Sequence, residues 1–260
     1  MAEGQVRLEI DGAIATITND NPEKRNAFTD AMDAQLFDIL GELRATPSVR
    51  VVIWRGEGHS WSSGRDVSAI GTNVTELTHH ELMTRGHQGI LQLFDLEAPV
   101  IVPIQGWAIG GSFQRALLAD IRIAADDARF MLPEAGHGVI PDTGGMGRLF
   151  QMCGHGVVSD MVLTGRKLDA DEALSLGIVS RVVPRDELDA TAREMAEKVA
   201  AAPAVTIKLA RRVIRHLAEP EIRSSMDDEL FYQTFLNRSD DFAEFRLART
   251  EGREPRYTGS

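Results

Sequence analysis

Cysteine is almost missing. Among 260 residues only Cys153 carries a thiol, so no intrachain disulfide and no cysteine-rich zinc site can be built. That residue is expected to act as a small buried hydrophobe. Long apolar runs are missing too, since no window approaches the roughly 18 uninterrupted apolar residues of a membrane span. The opening letters MAEGQVRLEIDG have neither the basic nor the apolar segment of a secretory signal, and a cytoplasmic location is expected. Positive charge is in deficit: 28 Lys and Arg against 39 Asp and Glu leave a net charge of −11. A nucleic-acid partner is therefore not expected, because phosphate backbones are met by a basic face. A small anionic ligand stays open, because exposed charges are screened over roughly 8–10 Å and a local basic cluster can still hold one. There is no internal repeat, low-complexity tract or Ser/Gly linker.

What is present is enough apolar material, 43% of the chain, for one large domain or a domain with an appendage. Val6, Leu8 and Ile10 alternate and Ala13, Ala15 and Ile17 return, so a hairpin with Asp11-Gly12 at its turn is predicted. Met32, Leu36, Ile39, Leu40 and Leu43 recur at helical spacing behind Thr29, a candidate cap. VRVVIWRG, PVIVPIQG and IRIAA read as short buried strands. A helix from Thr75 to Phe94 and another in GSFQRALLAD fall between them. Strands alternating with helices predict an α/β body with a largely parallel sheet. From Asp169, with Glu172 three residues on as its capping-box partner, nearly everything to Arg249 reads as helix apart from IVSRVV. The division expected is an α/β core over 1–195 and a C-terminal helical lobe over 196–260.

Four segments, in this order, carry a family resemblance: NPEKRNAF (21–28), HSWSSGRDVSAI (59–70), the long stretch from Pro103 to Leu149 that includes GWAIGGSFQRALLAD and FMLPEAGHGVIPDTGG, and MVLTGRKLDADEALSLGIVSRVVP (161–184). Together they resemble the crotonase (enoyl-CoA hydratase/isomerase) family over nearly the whole chain. The resemblance implies a spiral of ββα units, a homotrimer or homohexamer, and an acyl-CoA thioester as substrate, with no cofactor beyond its CoA and no metal. It places the backbone N–H groups of Arg65 and Gly111 as an oxyanion hole. Fixed donors in a dry site stabilise the charge that develops on a thioester oxygen. Glycine at 64, 110 and 111 fits that role, since it lets the main chain approach a ligand and take positive φ. The other reading of these glycines is ordinary turns.

The resemblance also shows a departure. Hydratases of the family use two glutamates; the first position here is Gln114, which neither gives nor takes a proton, and the second is Glu134. Asp142 stands eight residues on, where other branches of the family carry a catalytic carboxylate. Three chemistries follow: double-bond isomerisation by one carboxylate, ranked first; hydration shared by Glu134 and Asp142 with Gln114 orienting water; and, last, covalent attack by Asp142. Beyond these stand a non-catalytic acyl-CoA-binding protein and a C–C hydrolase in which His137 and Asp142 poise water. Glu134 and Asp142 lie among apolar letters, where desolvation would raise their proton affinity. Alternatively Glu134 faces solvent and Asp142 caps the helix that starts near Gly144. His137 is either a tuning group or structural, and His79, His80 and His87 lack the partners of a metal motif.

For the substrate and its CoA, the resemblance points to Lys24, Arg25 and Ala27 in the first loop and Ser63, Gly64 and Asp66 in the second. Trp107 and Gly110 follow, then His137. Arg65, whose side chain stands where the family often has Ala, and the basic run Lys208, Arg211, Arg212 and Arg215 are candidates for phosphate, or else solvated faces. Trp61, Trp107, Phe113 and Met131 are candidates for an acyl pocket, or for core.

Overall fold

A computed structural model describes residues 4–66 and 78–260. In chain order its strands are β1 Gln5–Asp11, β2 Ile14–Asp20, β3 Val51–Gly56, β4 Val100–Ile104, β5 Trp107–Ile109, β6 Ile121–Ala125, β7 Arg129–Met131, β8 Leu168–Asp169 and β9 Val182–Val183. Its α-helices are α1 Asp30–Arg44, α2 His79–Asp95, α3 Gly110–Leu118, α4 Gly145–Thr164, α5 Ala170–Ser175, α6 Leu188–Ala201, α7 Ala204–Leu236 and α8 Asp240–Glu251. No helix among the described residues is long and apolar enough to cross a membrane.

The larger sheet has the order β1-β2-β3-β4-β6-β9. It is antiparallel only at the β1–β2 hairpin and parallel from β2 onward. Its central strands read as unbroken apolar runs because both faces are covered. On β3, Val52 and Trp54 point into the core built with α1, α2 and α3. Val51 and Ile53 point the opposite way, onto Leu188, Ala192, Met195 and Ala196 of α6. Period-two alternation thus serves two cores from one strand. The division expected at 195/196 falls inside α6, because that helix is a layer of the sheet.

The smaller sheet, β5-β7-β8, explains the spiral. β4 is followed by β5 and then α3; β6 is followed by β7 and then, after a turn, α4. Ser62, bridged in parallel to Ala108 of β5, gives β3 the same kind of second-sheet partner. Each unit therefore lends one strand to each sheet and then a helix, in the ββα order that the resemblance implies. Strands of two or three residues are too short for alternation to show, so β5, β7 and β8 were not legible.

Local expectations hold with small shifts. The hairpin pairs Asp11 with Ile14, so its two-residue turn is Gly12-Ala13, one position later than predicted, with Gly12 at φ +61°. Thr29 caps α1, accepting from the Met32 amide at 3.2 Å. Asp169 and Glu172 form the expected capping box of α5. α2 begins on a second capping box, Thr78 with Glu81, while residues 75–77 lie outside the described residues, as do 67–70 of the second loop. Cys153 is half-buried against the core, not enclosed by it.

Candidate active site

Two loops are tied together before any cavity forms. Asn26, held at φ +55°, donates from Nδ2 to the carbonyls of Glu57 at 2.8 Å and Ser60 at 2.7 Å, and accepts the Asn21 amide at 2.8 Å. Loop 21–28 is thereby fixed to the segment after β3. The Phe28 amide donates to the Gly64 carbonyl, and the Asp66 amide to the Phe28 carbonyl, each at 2.8 Å. Along an extended segment successive N–H groups point to opposite edges. The Arg65 N–H therefore points away from Phe28, and among the described residues it has no protein acceptor. Gly64 sits at φ +96°, where a Cβ would come within 2.9 Å of the Ile109 carbonyl oxygen. That is why the loop can lie so close to the start of α3.

The N-terminus of α3 supplies the second set of donors. Ile109 precedes the helix without a side-chain cap, and the first-turn N–H groups of any α-helix lack intrahelical acceptors. Gly111 is one of these, at the positive end of the helix dipole. Gly110, at φ +56°, leaves room for Glu134: a Cβ there would stand 3.2 Å from Glu134 Oε1.

These parts border one cavity of about 250 Å³, lined by Gly64, Arg65, Gly110, Gly111 and Glu134, and further by Asp142. Its floor is apolar, with Phe28 and Phe37, Leu82 and Met83 of α2, and Phe242 and Phe245 of α8.

Glu134 opens the turn Glu134–His137 and is buried. Its Oε1 accepts from Gln114 Nε2 at 2.9 Å, while its Oε2 has no partner among the described residues. Burial pushes this carboxyl up to about 8, and the nearby charges of Asp142 and Glu229 push the same way. Gln114 is oriented unambiguously, since its Oε1 accepts the Thr143 amide at 2.8 Å and its nitrogen must then face Glu134. A proton on Glu134 therefore belongs on Oε2. Glu229, on α7, accepts the Gly144 amide at 2.7 Å and the Ser225 hydroxyl at 2.6 Å, and burial raises it to about 7.

The structure sorts the candidates. Ser63, Gly64, Arg65, Gly110, Gly111, Glu134, His137 and Asp142 meet at the cavity. Gln114 does not; it is fully buried behind Glu134, so it positions that carboxyl and touches no ligand. Glu134 is not a solvent-facing loop residue, and Asp142 does not cap α4, whose N-cap is Gly144 in the left-handed region. His137 stacks on Phe245 with centroids 4.5 Å apart, and burial, then the Arg249 charge, lower its proton affinity. His87 also lines the cavity, its Nε2 bonded to the Asp142 carbonyl.

Trp107 is outside the lining, under the Lys167 ammonium at 5.7 Å, and Trp61, Phe113 and Met131 are outside it too. Trp61 packs on Trp54 and Phe113 on Phe130, both pairs 5.3 Å apart, so these rings are core. Lys24, Arg25, Ala27 and Asp66 do not line the cavity but adjoin its wall. The Ser63 amide donates to the Arg25 carbonyl at 2.8 Å, and Lys24 Nζ pairs with Asp66 at 2.8 Å. The Arg65 side chain pairs with Asp33 at 3.1 Å and with Asp30.

The basic run on α7 is dispersed as well. Arg211 is buried against Asp120 at 2.9 Å and the Leu93 carbonyl at 2.8 Å, Lys208 pairs with Glu97, and Arg215 with Glu219 at 3.4 Å. Glu229 and Gln233 were missed. The signal was there: they continue the inward row of Ile222 and Met226 as polar residues at apolar positions.

The model of the enoyl-CoA hydratase/isomerase family matches residues 9–260. A carnitinyl-CoA dehydratase of Escherichia coli K12 is 34% identical over 259 residues, covering 98% of both chains. The crystal structure of an enoyl-CoA hydratase/isomerase from Pseudoalteromonas atlantica T6c superposes with a TM-score of 0.89 at 28% identity, over 98% of this chain and all of that one. That of a carnitinyl-CoA hydratase from Mycobacterium avium does so at 0.86 and 29%, over the full length of both.

Proposed function

Because the chain belongs to the enoyl-CoA hydratase/isomerase family, we propose that it removes water from, and adds it to, an acyl-CoA thioester. The N–H groups of Arg65 and Gly111 hold the thioester oxygen, and Glu134 carries the proton. In the dehydrating direction, ionised Glu134 takes a proton from the α carbon onto Oε2, and the electron pair moves onto the thioester oxygen as an enolate. The two amides, which have no protein acceptor among the described residues, stabilise that charge. The enolate then collapses, the C–O bond at the β carbon breaks, and the proton on Oε2 leaves with the hydroxyl as water. Hydration runs the same steps backward. Asp142 hydrogen-bonds the departing or arriving water. Only the substrate's CoA thioester and these side chains enter the steps.

The observation that carries this reading is Glu134 Oε2, a buried oxygen without a partner among the described residues, on a residue of the cavity wall that Gly111 and Arg65 also line. Dehydration of an acyl-CoA, carnitinyl-CoA, is also the activity in the name of the dehydratases that the chain resembles. A second reading, double-bond isomerisation, is favoured by Gln114: with one titratable group instead of two, a proton taken from one carbon is simply returned two carbons away. Lys24 and Arg25, beside Ser63, are assigned to the nucleotide of CoA. The outward row Val205, Leu209, Val213 and Leu217 of α7, each at least 49% exposed, is assigned to contact with further copies in a trimer or a dimer of trimers.

The test offers 3-hydroxybutyryl-CoA, crotonyl-CoA, 3-butenoyl-CoA and carnitinyl-CoA to the purified protein and follows products by liquid chromatography. Interconversion of hydroxyacyl and 2-enoyl thioesters, lost in Glu134→Gln, supports the reading. Conversion of the 3-enoyl substrate alone selects isomerisation. Binding without turnover of any of them makes the protein an acyl-CoA binder and removes the catalytic assignment.

A further inference from the structure

The loop that carries Asp142 has no regular structure of its own, yet side chains from three helices take up its main-chain groups. Gln233 Oε1 accepts the Ile140 amide at 3.1 Å, and His87 of α2 donates to the Asp142 carbonyl. Gln114 of α3 accepts the Thr143 amide at 2.8 Å, and Glu229 the Gly144 amide at 2.7 Å. Glu229 and Gln233 stand one turn apart on α7, on the face that Ile222 and Met226 also bury. A carboxylate at 1% exposure is costly to keep inside unless its bonds serve something. An apolar residue at 229 would continue the row and pack with Met226, but it would leave the Gly144 amide unmet.

We infer that Glu229 and Gln233 are positioning residues, clamping both ends of loop 140–144 so that Asp142 is held at the cavity across from Glu134. This extends the reading given under Proposed function and rests on it for the role of Asp142. The clamp also has an electrostatic side. The ionisable groups that bear on Glu229 are Asp142 on the loop and Asp228 on its own helix, and those that bear on Glu134 are Asp142 and Glu229. All are acids, so Glu229 adds to the field that keeps a proton on Glu134.

The experiment compares Glu229→Ala, Glu229→Gln and Gln233→Ala with the unaltered enzyme. Two readouts are used: amide hydrogen exchange without substrate, and turnover of crotonyl-CoA and 3-hydroxybutyryl-CoA across pH. Glu229→Ala is expected to speed exchange in 140–144 while the β-sheet amides stay unchanged, and to lower kcat about tenfold or more with KM within a few-fold. Glu229→Gln keeps an acceptor for Gly144. It is expected to restore slow exchange and most of kcat, and to move the rising limb of the pH profile to lower pH. Gln233→Ala is expected to free Ile140 and give a smaller loss of kcat.

The clamp is overturned if exchange in 140–144 is the same in Glu229→Ala as in the unaltered protein. The positioning role is overturned if Glu229→Gln loses as much kcat as Glu229→Ala. If the unaltered enzyme turns over no acyl-CoA, the reading of function fails, and hydrogen exchange alone then decides the clamp.

Discussion

At Glu134 two oxygens of one carboxyl have different fates. Oε1 is fixed by Gln114, and Oε2 is buried without a partner among the described residues. Burial holds this group up at about 8, so at neutral pH most of the free enzyme has Glu134 protonated, and the ionised form that takes the substrate's proton is the minority. Since turnover in either direction begins from ionised Glu134, kcat/KM is expected to rise with pH and level off above an apparent value near 8. A profile flat from pH 6 to 9 would contradict this. Glu134→Gln should lower kcat roughly 10²–10⁴-fold.

The same group has a cost in stability. Its proton is bound more tightly in the folded chain than at the ordinary 4.5, so between those two values the folded form holds a proton that the unfolded form has lost. Stability from this group is therefore present at low pH and lost as pH rises through about 8. Thermal melts should show Glu134→Gln gaining on the unaltered protein from pH 5 to pH 9. Residue identities at this scale were largely legible, because Glu134, Asp142 and the glycines sit in motifs. Whether Gln114 touches a ligand was not, because that depends on Thr143 turning its amide toward Gln114 from a distant loop.

At the scale of elements, the site is a meeting of two loops and one helix start. Gly64→Ala tests that meeting: φ of +96° and a Cβ at 2.9 Å from the Ile109 carbonyl oxygen are both unfavourable. The substitution should cost about 1–3 kcal/mol by thermal melt, and lower turnover further than stability alone explains by re-aiming the Arg65 N–H. Unchanged activity in Gly64→Ala would detach that amide from the chemistry. Long periodic elements such as α1 with its Thr29 cap could be read from spacing. The short strands could not, nor could the floor of the cavity. Phe242 and Phe245 come from α8, more than a hundred residues after Glu134, and helical periodicity says which face of α8 is apolar without saying what it covers.

At the scale of the whole molecule, α7 has two faces with different work. Its inner face carries Ile222, Met226, Glu229 and Gln233 against the body, and buried Arg211 anchors its first half to Asp120. Its outer face leaves Val205, Leu209, Val213 and Leu217 in solvent, an exposed apolar row of the kind that marks an interaction surface. Light scattering is expected to give three or six times the mass of one chain, and Val213→Glu with Leu217→Glu to reduce it. A monomeric unaltered protein would contradict the assignment. The α/β body and the helical C-terminal part were legible from alternation and from the run of helix after Asp169. The place of α6 was not, because Leu188, Ala192 and Met195 suit either a lobe or a layer on the sheet.

The most direct measurement is proton exchange at the α carbon. Butyryl-CoA, which has no hydroxyl to lose and no double bond to hydrate, is incubated with the enzyme in deuterium oxide and its α protons are followed by NMR. Incorporation of deuterium by the unaltered protein, abolished in Glu134→Gln while the thioester still binds, is the result predicted. Exchange that persists in Glu134→Gln would show that another group moves the proton.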